Sequence, residues 1–380
     1  MSTPVLLVAI GRQWIGTARI PRALAKAGFE VSLLTPVGSL AEHSAYVGRI
    51  DLLPEVFTPL DWVRAFAKVV RETRPLIVIP CDDNVWLLLQ TVAERPPPGM
   101  QADEHLGLAT LIKRSLGDPV HYGKSTNKLL LPTAARALGV RMPASATVSS
   151  LHEAESFATR HGYPIVLKLA YGFGGDAVAI CEDREAVERA LPALRGSPFV
   201  DLGASSQTLL AQAYIAGHIT YYFIASWEGR LLAGYATDRL LANPEPKGPA
   251  CVIRYHADRV IRNFAEKLVG GFSMSGLAGL ECVVDDRTGE AYVIEINRRV
   301  TPGMERGSIL GVDVCAALHA AVNNLPSPTR ADLDEGETGI RCSFPQEWLR
   351  DPNSEWLRRY PSDVPWDEPE LIRAMLAMRV

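Results

Sequence analysis

The chain has 380 residues, 47% of them hydrophobic and 22% charged, with a formal net charge of −4. That length buries a substantial core in roughly two or three domains, and an acidic balance lacks the basic surface that a nucleic-acid backbone demands. No stretch approaches a membrane span, the opening Met-Ser-Thr-Pro lacks the basic flank of a secretory signal, and Cys81, Cys181, Cys251, Cys282, Cys315 and Cys342 show no paired spacing. The expectation is a cytoplasmic protein with buried thiols, no disulfide or zinc framework, no nucleic-acid partner and no membrane partner.

From the amino terminus the apolar pattern predicts an α/β unit. Val5 to Ile10 reads as a strand ending at Gly11, Thr17 to Ala27 as a helix stopped by Gly28, Val31 to Leu34 as a second strand and Leu76 to Ile79 as a further one. The last leads into Pro80-Cys81-Asp82-Asp83-Asn84. Loops at the carboxyl ends of parallel strands are where open α/β sheets take ligands, so Asp82 and Asp83 either face a cleft or N-cap the helix Val85 to Thr91. Gly11-Arg12-Gln13-Trp14-Ile15-Gly16 lacks the dinucleotide spacing and no acid closes the second strand, which argues against an oxidoreductase.

Further on, Ser150-Leu151-His152-Glu153 has the form of a capping box opening a helix that ends before Tyr163. Lys168 ends the apolar strand that follows, and a lysine there is either a snorkelling edge residue or a phosphate ligand. Gly172, Gly174 and Gly175 come next; they let the backbone approach an anion and aim N–H groups at it, although a flexible hairpin would use them equally. Tyr221 to Trp227 and Leu231 to Thr237 predict a hairpin around Glu228-Gly229-Arg230, Pro244 and Pro246 a loop over the cleft, and Val260, Ile261, Phe264 and Leu268 a helical face stopped by Gly270 and Gly271.

The most informative stretch is Tyr292-Val293-Ile294-Glu295-Ile296-Asn297-Arg298-Arg299, with Glu281 fourteen positions before Glu295 across an Asp285-Asp286-Arg287-Thr288-Gly289 turn. Alternation along a strand points Glu295 and Asn297 the same way, and the hairpin brings Glu281 alongside. Two carboxylates and an amide suit Mg²⁺, a hard cation that keeps positions open for substrate phosphates. The competing reading is a hairpin with a charged solvent face. Glu295 follows an apolar run, however, where an unpaired carboxylate is expensive to bury. A loop from Thr301 to Ser308, a helix carrying Val312, Cys315, Ala316 and His319, and a tail anchored by Trp348, Trp356 and Trp366 complete the chain.

Taken in order, Lys168 with its glycine loop, Leu209-Leu210-Ala211-Gln212-Ala213-Tyr214-Ile215-Ala216-Gly217, Glu281, and Glu295-Ile296-Asn297-Arg298-Arg299 resemble the motifs of the ATP-grasp superfamily over roughly residues 110–325. The region before them resembles the pre-ATP-grasp domain. The resemblance implies an α/β and α+β fold class: a Rossmann-like pre-ATP-grasp domain over 1–110, an ATP-grasp domain of two α+β subdomains over 111–330, and an extension over 331–380 packed on the body. It also implies ATP with Mg²⁺ or Mn²⁺ as cofactors. A carboxylate would be activated as an acyl phosphate and attacked by an amine, giving ADP and an amide or peptide bond.

Carried over residue by residue, the resemblance gives Lys128 and Lys168 to the nucleotide, with Lys124 competing for the role of Lys128. Gln212, Ala213, Tyr214 and Ile215 become the hinge that reads adenine, Gly172, Gly174 and Gly175 the phosphate loop, and Glu281, Glu295 and Asn297 the metal ligands. Arg299, preceded by Arg298 where the motif has proline, would grip phosphate or substrate carboxylate and act with Lys168 in catalysis. Arg239 and Arg254 are weaker candidates for the same pocket, and Thr301 to Ser308 takes the place of the substrate-facing loop. The chain departs from the pattern in carrying Gln212 where many relatives have Glu, and in lacking a Glu for ribose at Ile219 or Thr220. Small-molecule carboxylate and amine substrates are the implied partners, and a homodimer is compatible with them. Two alternatives stand beside the ligase: a carbamoyl-phosphate-like or purine-pathway reaction, and a nucleotide-binding regulator without chemistry.

Overall fold

The computed structural model describes residues 3–172, 177–197, 208–245 and 248–378. Strands β1 (Thr3–Val8), β2 (Phe29–Pro36), β3 (Arg49–Leu53) and β4 (Ile77–Pro80) form a parallel sheet in the order β3-β2-β1-β4. Their apolar runs are continuous because both faces are covered. Val5, Leu7, Leu33 and Ile79 pack toward Ile20 and Leu24 of α1 (Ile15–Lys26). Leu6, Val8, Leu34 and Val78 pack toward Trp62 and Phe66 of α2 (Pro59–Thr73) and Leu89 of α3 (Asp83–Glu94). The expected elements are all present, several of them longer than expected. β3 and α2 lie outside the expected elements: β3 is an edge strand whose Ile50 and Leu52 are exposed, whereas α2 is opened by a capping box of Thr58 and Asp61.

Two helices, α4 (Ala102–Leu116) and α5 (Tyr122–Thr126), and then α6 (Leu131–Ala137), lead to a second, antiparallel sheet. Its strands β5 (Ser145–Val148), β6 (Ile165–Lys168), β7 (Val178–Cys181) and β8 (Leu209–Ala213) run in the order β5-β8-β6-β7, backed by α7 (Leu151–His161) and α8 (Arg184–Arg195). Ser150 caps α7 as expected, but Glu153 reaches back to Ser149 rather than to Ser150, so the box is displaced by one residue.

The third sheet has the order β13-β12-β9-β10-β11-β14, built from β9 (Gly217–Trp227), β10 (Arg230–Ala242), β11 (Ala250–His256), β12 (Gly276–Asp285), β13 (Ala291–Asn297) and β14 (Thr338–Cys342). The β9–β10 turn needs two left-handed residues, Glu228 (φ 49°) and Gly229 (φ 74°), which is the two-residue geometry that matches strand twist. One face of the sheet lies on α9 (Arg259–Gly271) and the other on the segment α10 (Gly307–Leu310) and α11 (Val314–Val322). On α9 the buried stripe is Ile261, Phe264, Ala265, Leu268 and Val269. Val260 is 51% exposed, because the helix begins at Asp258, whose carboxylate caps it, and that phase turns Val260 outward.

The segment after β14 carries α12 (Gln346–Arg350), α13 (Glu355–Arg359) and α14 (Pro369–Leu376). Its tryptophans do not all anchor it. Trp348 packs edge-on to Phe344 and Trp356 lies beside Tyr360, but Trp366 is 74% exposed. The anchor is ionic. Asp363, fully buried, pairs with Arg306, lies 3.7 Å from Arg19 of α1 and accepts the Phe344 N–H at 2.6 Å. Arg19 in turn donates to the carbonyls of Phe344 (2.8 Å) and Asp363 (2.6 Å) and lies 3.8 Å from Glu305. Removing one member of a buried ionic cluster strands the others. Asp363→Ala should therefore cost about 3–5 kcal/mol, read as a lower denaturant midpoint, and an unchanged midpoint would contradict this account.

Candidate functional site

Strands β12 and β13 pair so that Glu281 stands directly opposite Glu295 and Gly279 opposite Asn297, with a register shift just beyond Glu281. Carboxylates so placed repel each other, and they need cations nearby to ionise together. Lys128 supplies one, its Nζ lying 2.9 Å from Glu295 Oε1 with only 5% of the side chain exposed. Burial works against ionisation of Glu295, yet Lys128, helped by Lys168 and Arg299, holds its carboxyl below the ordinary value. Burial, with Glu295 opposite, pushes Glu281 up to about 7. Lys168, at the end of β6, is itself pushed down to about 8 by burial, against the pull of Glu295.

The register continues this face across the sheet as Glu295, Glu281, Tyr221, Thr237 and Tyr255. Arg239 hydrogen-bonds the Tyr221 hydroxyl and acts on Glu281, so it belongs to the site. Arg254 does not. It pairs with Asp238 on the opposite face, through Nε at 3.0 Å and Nη2 at 2.8 Å, where the same carboxylate takes Thr220 and His256.

Lys128 also joins the two sheets. Its N–H donates to Ala170 O and its Nζ to Gly172 O, both at 2.9 Å, so the ammonium bridges the start of the glycine loop and Glu295. Lys124 points to solvent on α5, and geometry therefore favours Lys128 of the two. Gly174 and Gly175 lie outside the described residues. On β8, Gln212 is buried and its Nε2 has no hydrogen-bond partner among the described residues, leaving an amide donor for a ligand. The Ala213 N–H is taken by Ala144 O at 2.8 Å, and Tyr214 beyond it is 42% exposed.

The two arginines after β13 part company. Arg298 turns inward to Ser125 Oγ (3.1 Å) and Leu116 O, over the Trp86 ring, and burial pushes it down to about 10. It latches β13 to α4 and α5. Arg299 faces the amino-terminal sheet: its Nε meets Asp83 Oδ2 at 2.8 Å and its guanidinium lies 4.7 Å from the Trp14 ring centroid. The backbone follows, with Val300 N–H donating to Pro80 O (3.0 Å) and Trp14 Nε1 to Val300 O (3.2 Å). Gly16 permits this approach, since a Cβ there would come within 2.9 Å of Trp14 Nε1 and 3.3 Å of the Pro302 nitrogen.

Both readings of the acid pair after β4 hold, one for each residue. Asp82 caps α3 through Val85 N–H and pins the loop after β1 through the N–H groups of Ile10 (2.6 Å) and Gly11 (2.9 Å), while Asp83 faces Arg299. The loop from Thr301 to Ser308 turns its charges inward: Glu305 and Arg306 are buried against Arg19 and Asp363. Trp14 and Tyr221 carried no sequence signal of their own. Only the strand register and the loop after β1 place them in the site.

The site thus joins two facing carboxylates and an amide oxygen to two lysines and two arginines, between an antiparallel sheet and the start of a glycine loop, an arrangement similar to that of the ATP-grasp fold. Residues 128–315 match the family described as the carbamoyl-phosphate synthase L chain, ATP binding domain. Among curated relatives, the N-terminal section of the carbamoyl phosphate synthase large chain of Methanopyrus kandleri is 27% identical over 256 residues, 64% of this chain and 42% of the relative. The chain therefore spans less than half the length of that relative. Among solved structures, biotin carboxylase from Campylobacter jejuni superposes with a TM-score of 0.69 at 16% identity, covering 90% of this chain and 75% of the other. L-amino acid ligase from Bacillus licheniformis gives 0.60 at 16% identity, covering 89% and 79%. These likenesses establish the fold.

Glu281 carries a pH signature in the metal-free protein. It keeps its proton up to about 7 when folded, whereas its ordinary value is 4.5, so the folded chain binds more protons between those values and stability falls as pH rises through that window. Glu281→Gln removes the penalty. In the presence of chelator the variant should melt above the wild type at about pH 8, with the gap closing toward about pH 4. A gap that does not change with pH would refute the assignment.

Proposed function

We propose that this chain is an ADP-forming ligase that activates a carboxylate as an acyl phosphate and joins it to an amine, giving an amide or peptide bond. The observation that carries the proposal is the convergence of Glu281, Glu295, Lys128, Lys168 and Arg299 on one cleft. A regulator that only bound nucleotide would have no use for Arg299 beside the paired carboxylates.

The donor set fits a magnesium nucleotide. Glu281, Glu295 and Asn297 are oxygen ligands of the kind Mg²⁺ or Mn²⁺ prefers, and the unpartnered Gln212 amide fits a nucleobase edge. Bound Mg-ATP would supply the phosphoryl group. Lys128 and Lys168 would hold its phosphates, with Gly172 and the glycines after it closing over them. Gln212, Ala213, Tyr214 and Ile215 would hold the base. Arg299 would orient the substrate carboxylate with its planar fork of donors, and Lys168 would oppose the charge that builds on the transferring group. The four-stranded parallel sheet, the two antiparallel sheets and the ionic anchoring at Asp363 support a division into units 1–110, 111–330 and 331–380. A carbamoyl-phosphate-type reaction is the second reading, favoured by the matched family and by the Methanopyrus relative.

Incubation with Mg-ATP and an amino-acid panel should release ADP and phosphate in the presence of the right substrate; release of AMP and pyrophosphate would overturn the mechanism. Glu295→Gln should lower turnover by roughly two or more orders of magnitude while the fold survives. Arg299→Lys should impair the carboxylate step more than nucleotide binding. Turnover near the wild-type rate in both variants would make these residues structural.

A further inference from the structure

The order β3-β2-β1-β4 puts a topological switch point between β1 and β4, where the chain leaves β1 toward β2 on one side and β4 lies on the other. Open α/β sheets bind ligands outside the carboxyl ends of their strands at such points. Here those ends carry Trp14 from the loop after β1 and Asp82 and Asp83 after β4, and Arg299 enters between them. The adjacent acids are used very differently. Asp82 accepts three backbone N–H groups and is half-buried. Asp83 meets Arg299 through Oδ2 alone, keeps 31% of its side chain exposed, and its Oδ1 accepts no hydrogen bond among the described residues.

The other two carboxylates of the site are committed. Glu295 is held by Lys128, and it stands with Glu281 where a divalent cation would sit. Asp83 is the acid with an oxygen, Oδ1, still left to meet a positive charge, while its Oδ2 lies against the arginine that orients the carboxylate. We propose that Asp83 is the acceptor-binding residue: the switch-point crevice, walled by the Trp14 indole, takes an amine that arrives as a cation, and Asp83 holds its ammonium beside the activated carboxyl. This rests on the ligase reading above. In the step it serves, the acceptor nitrogen bonds to the acyl carbon as the carbon–oxygen bond to phosphate breaks. The bonding pair leaves with the phosphate. Of the two protons the ammonium sheds, one passes by way of Asp83 to solvent before attack, freeing the lone pair that forms the new bond, and the other goes to the departing phosphate.

The test compares two nucleophiles on the same acyl phosphate. Hydroxylamine, uncharged at neutral pH, traps it as a hydroxamate, whereas methylamine arrives as a cation. With Mg-ATP and pooled amino acids as carboxylate donors, Asp83→Asn should lower the ratio of methylamide to hydroxamate by about ten-fold, the effect of losing one charge contact, and Asp83→Glu should recover part of it. A ratio that stays at the wild-type value, even if both products fall together, would show that Asp83 only supports Arg299, and would overturn the inference. If the wild-type protein forms neither product, the ligase reading fails and this inference fails with it.

Discussion

Two carboxylates, Glu281 and Glu295, face each other across paired strands, and their mutual repulsion sets the terms for everything around them. Left alone, one would stay protonated and neither would hold a divalent cation well. Lys128 settles the matter for Glu295, and to reach it the lysine must come from outside the sheet, from the turn before α6, while its backbone N–H ties to the strand end at Ala170. A single electrostatic need thus fixes how the four-stranded antiparallel sheet approaches the six-stranded one. Lys168 completes the charge balance but stays uneasy there: its burial leaves an ammonium with no carboxylate in direct contact among the described residues. A triphosphate would relieve that strain as well as the repulsion.

The second constraint is the path of the chain as it leaves β13. Arg298 and Arg299 diverge, one locked under Trp86 and the other stacked on Trp14, so the backbone between them cannot rotate without losing two ring contacts and the Asp83 ion pair. Val300 adds hydrogen bonds to Pro80 and Trp14. The amino-terminal sheet is therefore part of the site, contributing the wall against which Arg299 is held.

The sequence reveals most about the elements whose signals are local. Alternation around Glu295 and Asn297 places both on one face of their strand, and the Asp285–Gly289 turn places Glu281 opposite Glu295, because both follow from the two-residue period of a strand. Ionic partners at long range were hidden. Nothing near Asp83 in the chain indicates Arg299, 216 residues away, and nothing near Trp366 shows that the tail is held through Asp363 instead. Tryptophans draw attention because they are large and apolar; an aspartate in a proline-rich tail reads as solvated until its arginines are seen. Arg254 illustrates the converse. The cross-strand partner that decides its face, Asp238, depends on a register with β10 that spacing alone does not give.

The buried link between Arg19 and Asp363 joins residues 344 positions apart. On the ribosome Arg19 emerges early, and at the usual 5–20 residues per second its carboxylate follows on the order of half a minute later. Through that interval α1 carries a guanidinium with nowhere dry to go, and the turn at Glu305 and Arg306 lacks its counter-charge. The amino-terminal sheet can form, and β13 can form after it, but the piece that connects them cannot set until Asp363 arrives. The site is finished only after residues well beyond its last candidate ligand have been made, so a polypeptide that stops short of Asp363 carries every candidate ligand and no finished cleft.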